Sequence, residues 1–328
     1  MKKIKWGILS TADIARSFVA DLSLLPDAEL VAIGSRNQST ADAFGEEFNI
    51  PRRYASYKDL ANDPDIDVIY VATPHTLHAE NSILCMKAGK AVLCEKAFAI
   101  TAREAEEMIR VAREEKVFLM EAMVTRHYPV IHAVREWVME GRIGEVRMVK
   151  ATRCARGTFN DTTRHLNPAL GGGSLLDVGV YVISFSSMIY SKPPLRAFGY
   201  GHIGTSGSDE QGAALLEYEN GALGILTFAL RTDAVNEAYI LGTKGRIKIY
   251  PTFAVADKAT LKVDGEDEET IEIPVEGRGF NYEAAEVIKC LREGKLESPR
   301  MPLDESLEIM RTMDTIRTEW PLKYPNDL

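Results

Sequence analysis

Over its first ~120 residues the chain alternates short apolar runs with stretches of helical period, and few architectures accept that pattern. Ile4 to Ser10, Leu30 to Ser35, Val68 to Thr73, Ala91 to Glu95 and Val117 to Ala122 read as strands. Between them, Ile14 to Leu25, Thr40 to Phe48, Thr76 to Ala88 and Thr101 to Glu115 read as amphipathic helices. Ser39 or Thr40 stands near the cap of the second helix, and Thr101-x-x-Glu104 forms a capping box for the fourth. Strands this short and apolar, each followed by a crossover helix, predict a parallel sheet covered on both faces.

The pattern changes after a helix at Pro129 to Glu140. From Gly144 onward strands dominate: Val146 to Arg153, Leu195 to Ile203, Gly212 to Arg231, Glu237 to Tyr250 and Thr260 to Pro274. Asn220-Gly221 between two apolar runs marks a hairpin, and Gly242-Thr243-Lys244-Gly245 marks a second turn. Helices are expected at Leu175 to Tyr190, Phe280 to Glu293 and Leu303 to Thr318. The acidic run Glu266 to Glu269 reads as a solvated hairpin tip. The expectation is an α/β Rossmann domain at residues 1–122. An α+β domain with a large, mainly antiparallel open sheet follows at 123–328.

A chain of 328 residues is long for one hydrophobic core and comfortable for two. Its net charge of −9 argues against nucleic acid or an anionic membrane as the main partner, since either needs a basic face. Cys85, Cys94, Cys154 and Cys290 are scattered, with no metal-ligand spacing, and read as packed reduced thiols. No metal site is expected. The start lacks the apolar core of a secretory signal, and no run of ~18 apolar residues suggests a membrane span. A cytoplasmic protein is expected.

The turn after the first strand reads Ser10-Thr11-Ala12-Asp13-Ile14-Ala15. A dinucleotide fingerprint carries G-x-G-x-x-G/A there; Ser10, Ala12 and Ala15 keep those places small without being glycine. A plain strand–turn–helix explains the turn alone; its place at the first βα turn favours phosphate binding at the helix N-terminus. The second strand ends in Ser35-Arg36, a hydroxyl and a planar cation where an NAD-selective site usually has an acid. A preference for NADP is expected, with NAD as the alternative. Lys96 closes Ala91 to Glu95, at a strand end that points into the ligand crevice of such sheets.

These residues, with Ala72-Thr73-Pro74-His75-Thr76-Leu77-His78 and Cys94-Glu95-Lys96, resemble the glucose–fructose oxidoreductase / inositol dehydrogenase (Gfo/Idh/MocA) family. Gly171-Gly172-Gly173-Ser174-Leu175-Leu176-Asp177-Val178-Gly179-Val180-Tyr181 is similar to the family's G-G-G-x-L-x-D-x-G-x-[HY] stretch. The tyrosine ending, with Glu121-Ala122-Met123 and Arg126 upstream, resembles the dihydrodiol dehydrogenase and glucose–fructose oxidoreductase branch. The inositol dehydrogenase branch typically carries His there. The resemblance implies a catalytic set of Lys96, beside the nicotinamide, Tyr181 as general acid/base, and Asp177 as its partner. It implies cofactor contacts from Ser10, Thr11, Ala12, Asp13, Ile14, Ser35, Arg36, Thr73, Pro74, His75, His78, Glu95 and Lys96. Ala97 stands where the family has Pro, whose bond to the lysine is often cis, so the geometry at Lys96-Ala97 is open.

Several readings keep a plain alternative. Tyr181 is also what an amphipathic core tyrosine looks like, though residues i and i+4 on a helix would bring Asp177 to its face. His78 either faces the nicotinamide or packs at a helix start. Arg126, Arg164 and His165 are candidate substrate contacts; for the arginines, salt bridging is the alternative. The implied reaction is hydride transfer between nicotinamide and a carbinol carbon of a sugar, polyol or cyclic diol, in a homodimer formed through the second sheet. A dinucleotide-binding sensor, or a hydrolase or lyase recycling NAD, are the rivals. Neither the substrate nor the direction is written in the sequence.

Overall fold

In the computed structural model, which describes residues 2–157, 159 and 163–327, the amino-terminal apolar runs pair into a six-stranded parallel sheet. Its strands are β1 (Ile4–Leu9), β2 (Ala28–Gly34), β3 (Arg52–Tyr54), β4 (Val68–Val71), β5 (Ala91–Glu95) and β6 (Leu119–Ala122), in the order β3-β2-β1-β4-β5-β6. Helices α1 (Asp13–Leu22), α2 (Gln38–Glu47), α3 (Tyr57–Ala61), α4 (His78–Lys87) and α5 (Ala102–Glu115) make the connections. Every residue of β4 and β5 is buried, as strands covered on both faces must be. Phe18 of α1 stacks on Tyr70 of β4 with centroids 3.8 Å apart and tilts against Trp6 at 5.5 Å. Each such pair adds about 0.5–1.5 kcal/mol beyond area burial.

Thr101 caps α5, its side chain accepting from Glu104 N–H, as the capping box predicts. The second helix begins differently: Asn37 is its cap, accepting from Thr40 N–H, in place of Ser39 or Thr40. The sequence pattern predicts neither β3 nor α3. A three-residue Arg-Arg-Tyr strand of intermediate burial carries no apolar period.

A second sheet has eight strands: β7 (Val146–Cys154), β8 (Arg196–Ile203), β9 (Asp209–Glu217), β10 (Leu223–Ala229), β11 (Ala238–Gly242), β12 (Gly245–Ile249), β13 (Lys258–Val263) and β14 (Glu269–Glu272). Their order is β14-β13-β12-β11-β7-β10-β9-β8. All neighbours run antiparallel except β7 and β10, which are parallel. Asn220 (φ 57°) and Gly221 (φ 72°) turn the chain from β9 into β10, the left-handed pair a tight hairpin needs. α6 (Pro129–Met139) precedes the sheet, while α7 (Val180–Tyr190) packs on β7 and β10. α7 follows a π-helical turn at Leu175–Gly179.

The carboxyl-terminal helices are α8 (Phe280–Arg292) and α9 (Leu303–Arg317). The chain divides into two compact units: Met1–Val124 with Glu276–Ser306, and Thr125–Val275 with Leu307–Leu328. Residues 276–306, which an uninterrupted 123–328 domain would place with the second sheet, therefore return to the first unit. α8 packs on α1, and Oδ2 of Asp21 accepts the backbone N–H groups of Arg278 (2.8 Å) and Phe280 (2.9 Å). That carboxylate caps α8, whose own N-cap, Gly279, has no side chain to do so. All four cysteines are buried and unbridged. Among the described residues no helix is long and apolar enough to cross a membrane.

Candidate active site

Parallel pairing brings the strand ends to one edge of the first sheet. Leu9 pairs with Gly34 on one side and Val71 on the other, and Val71 pairs with Cys94. Ser10, Ser35, Thr73, Glu95 and Lys96 all follow these residues, at the carboxyl ends of β1, β2, β4 and β5. Strand order reverses at β1, which makes this edge the switch point where open α/β sheets bind ligands.

Ser10 takes φ 118°, a backbone region that favours glycine, and its Oγ accepts from Ala12 N–H at 3.3 Å. Ala12 is the N-cap of α1 and offers no side-chain cap, so the N–H groups of Asp13 and Ile14 open the helix without an intrahelical acceptor. Thr11, Ala12 and Ile14 are half-buried and Asp13 is exposed. The turn fits a pyrophosphate, which needs free N–H groups and the positive end of a helix dipole.

Ser35 is buried; its N–H donates to the Tyr54 carbonyl at 3.0 Å and its hydroxyl meets that of Thr40 at 2.5 Å. Arg36 is exposed, near Tyr57, whose phenol burial pushes up in pKa while the Arg36 charge pulls it down. Thr73, His75 and His78 are buried, and the two imidazoles meet edge-on at 5.4 Å, beside half-buried Pro74. His78 Nδ1 lies 2.8 Å from the Ala97 carbonyl oxygen and Nε2 lies 2.8 Å from that of Thr73. Both groups are acceptors, so the ring satisfies both only by donating from each nitrogen. His78 thus ties the end of β4 to the residue after Lys96, as a clamp inside the protein.

Glu95 is buried, accepting from the Tyr70 hydroxyl through Oε1 and from Lys96 N–H (3.2 Å) through Oε2. Lys96 is half-buried, and the Lys96-Ala97 bond is cis, which settles the geometry that Ala97 left open. Glu283 of α8 is wholly buried, with neither carboxyl oxygen hydrogen-bonded. Burial, then the charges of Glu95 and Asp21, hold its pKa well above the carboxylate range.

In the second unit Asp177 is buried within the π-helical turn and Tyr181 is half-buried at the second position of α7. The backbone between them is thus wound more widely than the α-helix that the i, i+4 argument assumed; π-turns of this kind recur at functional sites. Arg164 Nη1 lies 3.8 Å from Asp177 Oδ1, and the arginine is half exposed. His165 packs on Phe159 with centroids 4.3 Å apart, and its carbonyl accepts from Gly173 N–H at 2.8 Å. Arg126 is buried, donating from Nε and Nη2 to the hydroxyl and carbonyl of Ser184, both at 2.9 Å. Those two donors serve α7. Of the polar loop Asn160 to Asn167, residues 160–162 lie outside the described residues. No group of three His, Cys, Asp or Glu among the described residues is placed to hold a metal ion.

Three contributors carried no sequence signal. Tyr70 supports Glu95 from inside an apolar strand, and Asn81 donates to Thr73 Oγ1 at 3.3 Å. Asp209 caps the π-turn from the start of β9, 34 residues beyond Leu175.

Residues 4–123 match the Gfo/Idh/MocA oxidoreductase family, NAD-binding Rossmann fold, and residues 131–248 match the Gfo/Idh/MocA C-terminal domain. Trans-1,2-dihydrobenzene-1,2-diol dehydrogenase of Mus musculus is 38% identical over 99% of both chains. The Xenopus laevis enzyme of the same name is 37% identical over 98% of this chain and 99% of its own. Among solved structures, KijD10, a 3-ketoreductase from Actinomadura kijaniata in complex with NADP and TDP-benzene, is 28% identical, with TM-score 0.84 over 97% of this chain and 98% of that one. An aldose-aldose oxidoreductase from Caulobacter crescentus, 23% identical with TM-score 0.88 over 97% of each chain, shares the fold. With both halves matched in order, the chain belongs to the Gfo/Idh/MocA family of oxidoreductases.

Proposed function

We propose that the protein is an NADP-dependent dehydrogenase that moves hydride between nicotinamide and a carbinol carbon of a cyclic diol, sugar or polyol. The observation that carries this reading is the edge of the first sheet. There a helix N-terminus with unpaired N–H groups, the Ser35-Arg36 pair and Lys96 follow the carboxyl ends of β1, β2 and β5, on the edge that holds the switch point. The names of the relatives, dihydrodiol dehydrogenases at 37–38% identity, point the substrate class toward vicinal cyclic diols.

A bound nicotinamide dinucleotide supplies the hydride acceptor, or the donor in the reverse direction. The N–H groups of Asp13 and Ile14 hold the pyrophosphate, and Arg36 with Ser35 takes the 2′-phosphate. In oxidation Tyr181 Oη receives the proton of the substrate hydroxyl while the Lys96 ammonium stabilises the developing alkoxide. Asp177, with Arg164 beside it, orients the phenol. Glu95 and His78 hold the backbone on either side of Lys96, so the amine starts from a fixed strand end.

The test is reduction of NADP by trans-1,2-dihydrobenzene-1,2-diol and a panel of aldoses and polyols, followed by absorbance of the reduced nicotinamide. Lys96→Ala and Tyr181→Phe should each lower kcat by about 10² or more while cofactor binding persists. Undiminished turnover in Lys96→Ala would overturn this mechanism; no turnover with any alcohol, while the dinucleotide still binds, would favour a sensor.

The same reading includes a homodimer formed through the second sheet. Its open face carries Phe198 (48% exposed), Tyr200 (75%), Leu215 (42%) and Ile225 (36%). Phe198 pairs with Leu215 and Leu215 with Ile225, so they form one apolar row across β8, β9 and β10. A contiguous row of this kind marks an interaction surface.

A further inference from the structure

We propose that Asp209 is a positioning residue for the proton-exchanging segment: its carboxylate, delivered from the start of β9, pins the entry to the π-turn and through it the Asp177–Tyr181 stretch. The proposal rests on the role given to Tyr181 above.

Asp209 is wholly buried. Its Oδ2 accepts from the Ser174 hydroxyl at 2.7 Å and from Leu175 N–H at 2.6 Å. Leu175 opens the π-turn, and Ser174, the residue before it, has helical dihedrals and no side-chain cap of its own. Asp209 therefore takes the place of the N-cap from another element, satisfying one of the orphan donors at the head of the turn. The glycine run is built around it. Gly173 has φ 142°, and a Cβ there would stand 2.1 Å from Asp209 Oδ1, so only glycine admits the carboxylate. The Gly172 carbonyl accepts from Ser208 Oγ (3.1 Å) and from the Tyr324 hydroxyl (3.2 Å), and Gly173 N–H is held by the His165 carbonyl. Gly172, Gly173, Ser174 and Leu175 are each tied down, and Asp177 and Tyr181 follow within six residues of Leu175.

The groups facing Asp209 are few. On the π-turn side they are the Ser174 hydroxyl and the N–H groups of Ser174 and Leu175, with the N–H of Asp209 itself on its own strand. From the C-terminal segment Tyr324 approaches; its ring lies under the Arg317 guanidinium at 5.2 Å, and that guanidinium is committed to Asp314 and Asp327. No cation among the described residues is paired with Asp209, and its Oδ1 has no hydrogen-bond partner. Burial accordingly pushes the carboxyl up to about 7, against the pull of the Ser174 and Leu175 bonds. The ionised form makes the stronger, charge-assisted cap and the neutral acid the weaker one. Helix entry thus tightens as pH rises through neutrality.

The test is kcat against pH with NADP and trans-1,2-dihydrobenzene-1,2-diol for wild type, Asp209→Asn, Ser174→Ala and Tyr181→Phe. The wild type should show an acid limb near neutrality. Asp209→Asn, fixed in the neutral state, should lose that limb and stay about fivefold below the wild-type alkaline plateau, with KM for NADP within about twofold. Ser174→Ala, which deletes one hydroxyl and leaves the carboxylate in place, should move the limb to higher pH by removing a bond that favours the charged form. A wild-type acid limb and rate in Asp209→Asn, or an unmoved limb in Ser174→Ala, would overturn the proposal. Full turnover in Tyr181→Phe would overturn the Tyr181 reading and this proposal with it. Lost turnover there, beside an unchanged profile in Asp209→Asn, would sink the Asp209 proposal alone.

Discussion

Glu283→Gln should change the pH dependence of stability in a direction the structure fixes. Glu95 has donors, the Tyr70 hydroxyl and Lys96 N–H, whereas Glu283 has none among the described residues and no exposed surface. Of this buried pair Glu95 therefore takes the charge and Glu283 keeps a proton. The folded state holds that proton at pH values where the unfolded chain has released it. A group with a raised folded pKa of this kind makes stability fall as pH rises from the unfolded value, about 4.3, toward the folded one. Wherever the folded protein keeps the proton and the unfolded chain has lost it, each pH unit costs the wild type about 1.4 kcal/mol that a glutamine variant does not lose. The glutamine amide inherits the same unpaired site at a cost of about 1–3 kcal/mol, but that cost does not depend on pH. The informative quantity is thus the slope of the difference. Urea unfolding of the first unit can be followed through Trp6, the only tryptophan of that unit, in a Trp137→Phe, Trp320→Phe background. Parallel pH curves for the two proteins would refute the assignment of the proton to Glu283.

Three further outcomes are expected. Arg36→Ala should reduce kcat/KM with NADP by about tenfold to a hundredfold, for the loss of a charged hydrogen-bonding partner, and leave that with NAD nearly unchanged; equal losses with both cofactors would remove the 2′-phosphate argument. Phe198→Asp, placed in the apolar row of the second sheet, should shift the sedimentation coefficient from dimer to monomer, and an unchanged coefficient would show that this face is not the contact. Arg126→Met should destabilise the second unit by about 1–3 kcal/mol, since the Ser184 carbonyl and hydroxyl lose their buried donors. An unchanged unfolding midpoint would refute that support role.

The parts of this fold that could be read from the sequence are those whose cause is local. A strand buried on both faces writes itself as an apolar run, so β1, β2, β4, β5 and β6 were visible, and Thr101 announced α5 through its capping box. The hairpin at Asn220-Gly221 was visible because few residue pairs accept two successive left-handed conformations. β3 has three residues and α3 five, too short for a period to repeat. The site divides along the same line. Ser10, Arg36 and Lys96 stand out because a strand end in this sheet has a known direction. Tyr70 and Asp209 do not, because their roles depend on partners 25 and 34 residues away that only the folded backbone brings near.

The return of residues 276–306 to the first unit shows why a local reading must miss such things. α8 carries an ordinary apolar face, and nothing in its own sequence says which sheet that face meets. What selects the first unit is a set of groups already waiting there. Asp21 has an oxygen for two N–H groups at the head of α8, Phe18 offers an edge to Phe280 at 6.3 Å, and Leu119 N–H is met by the Leu296 carbonyl at 3.1 Å. Docking α8 on α1 then has a consequence for the chemistry. It seats the neutral Glu283 near Glu95, the buried carboxylate next to Lys96, which accepts from the Tyr70 hydroxyl and from backbone N–H. A proposed catalytic strand end in the first hundred residues is thus completed by a helix nearly two hundred residues later, and its electrostatics belong to that tertiary contact and to no motif.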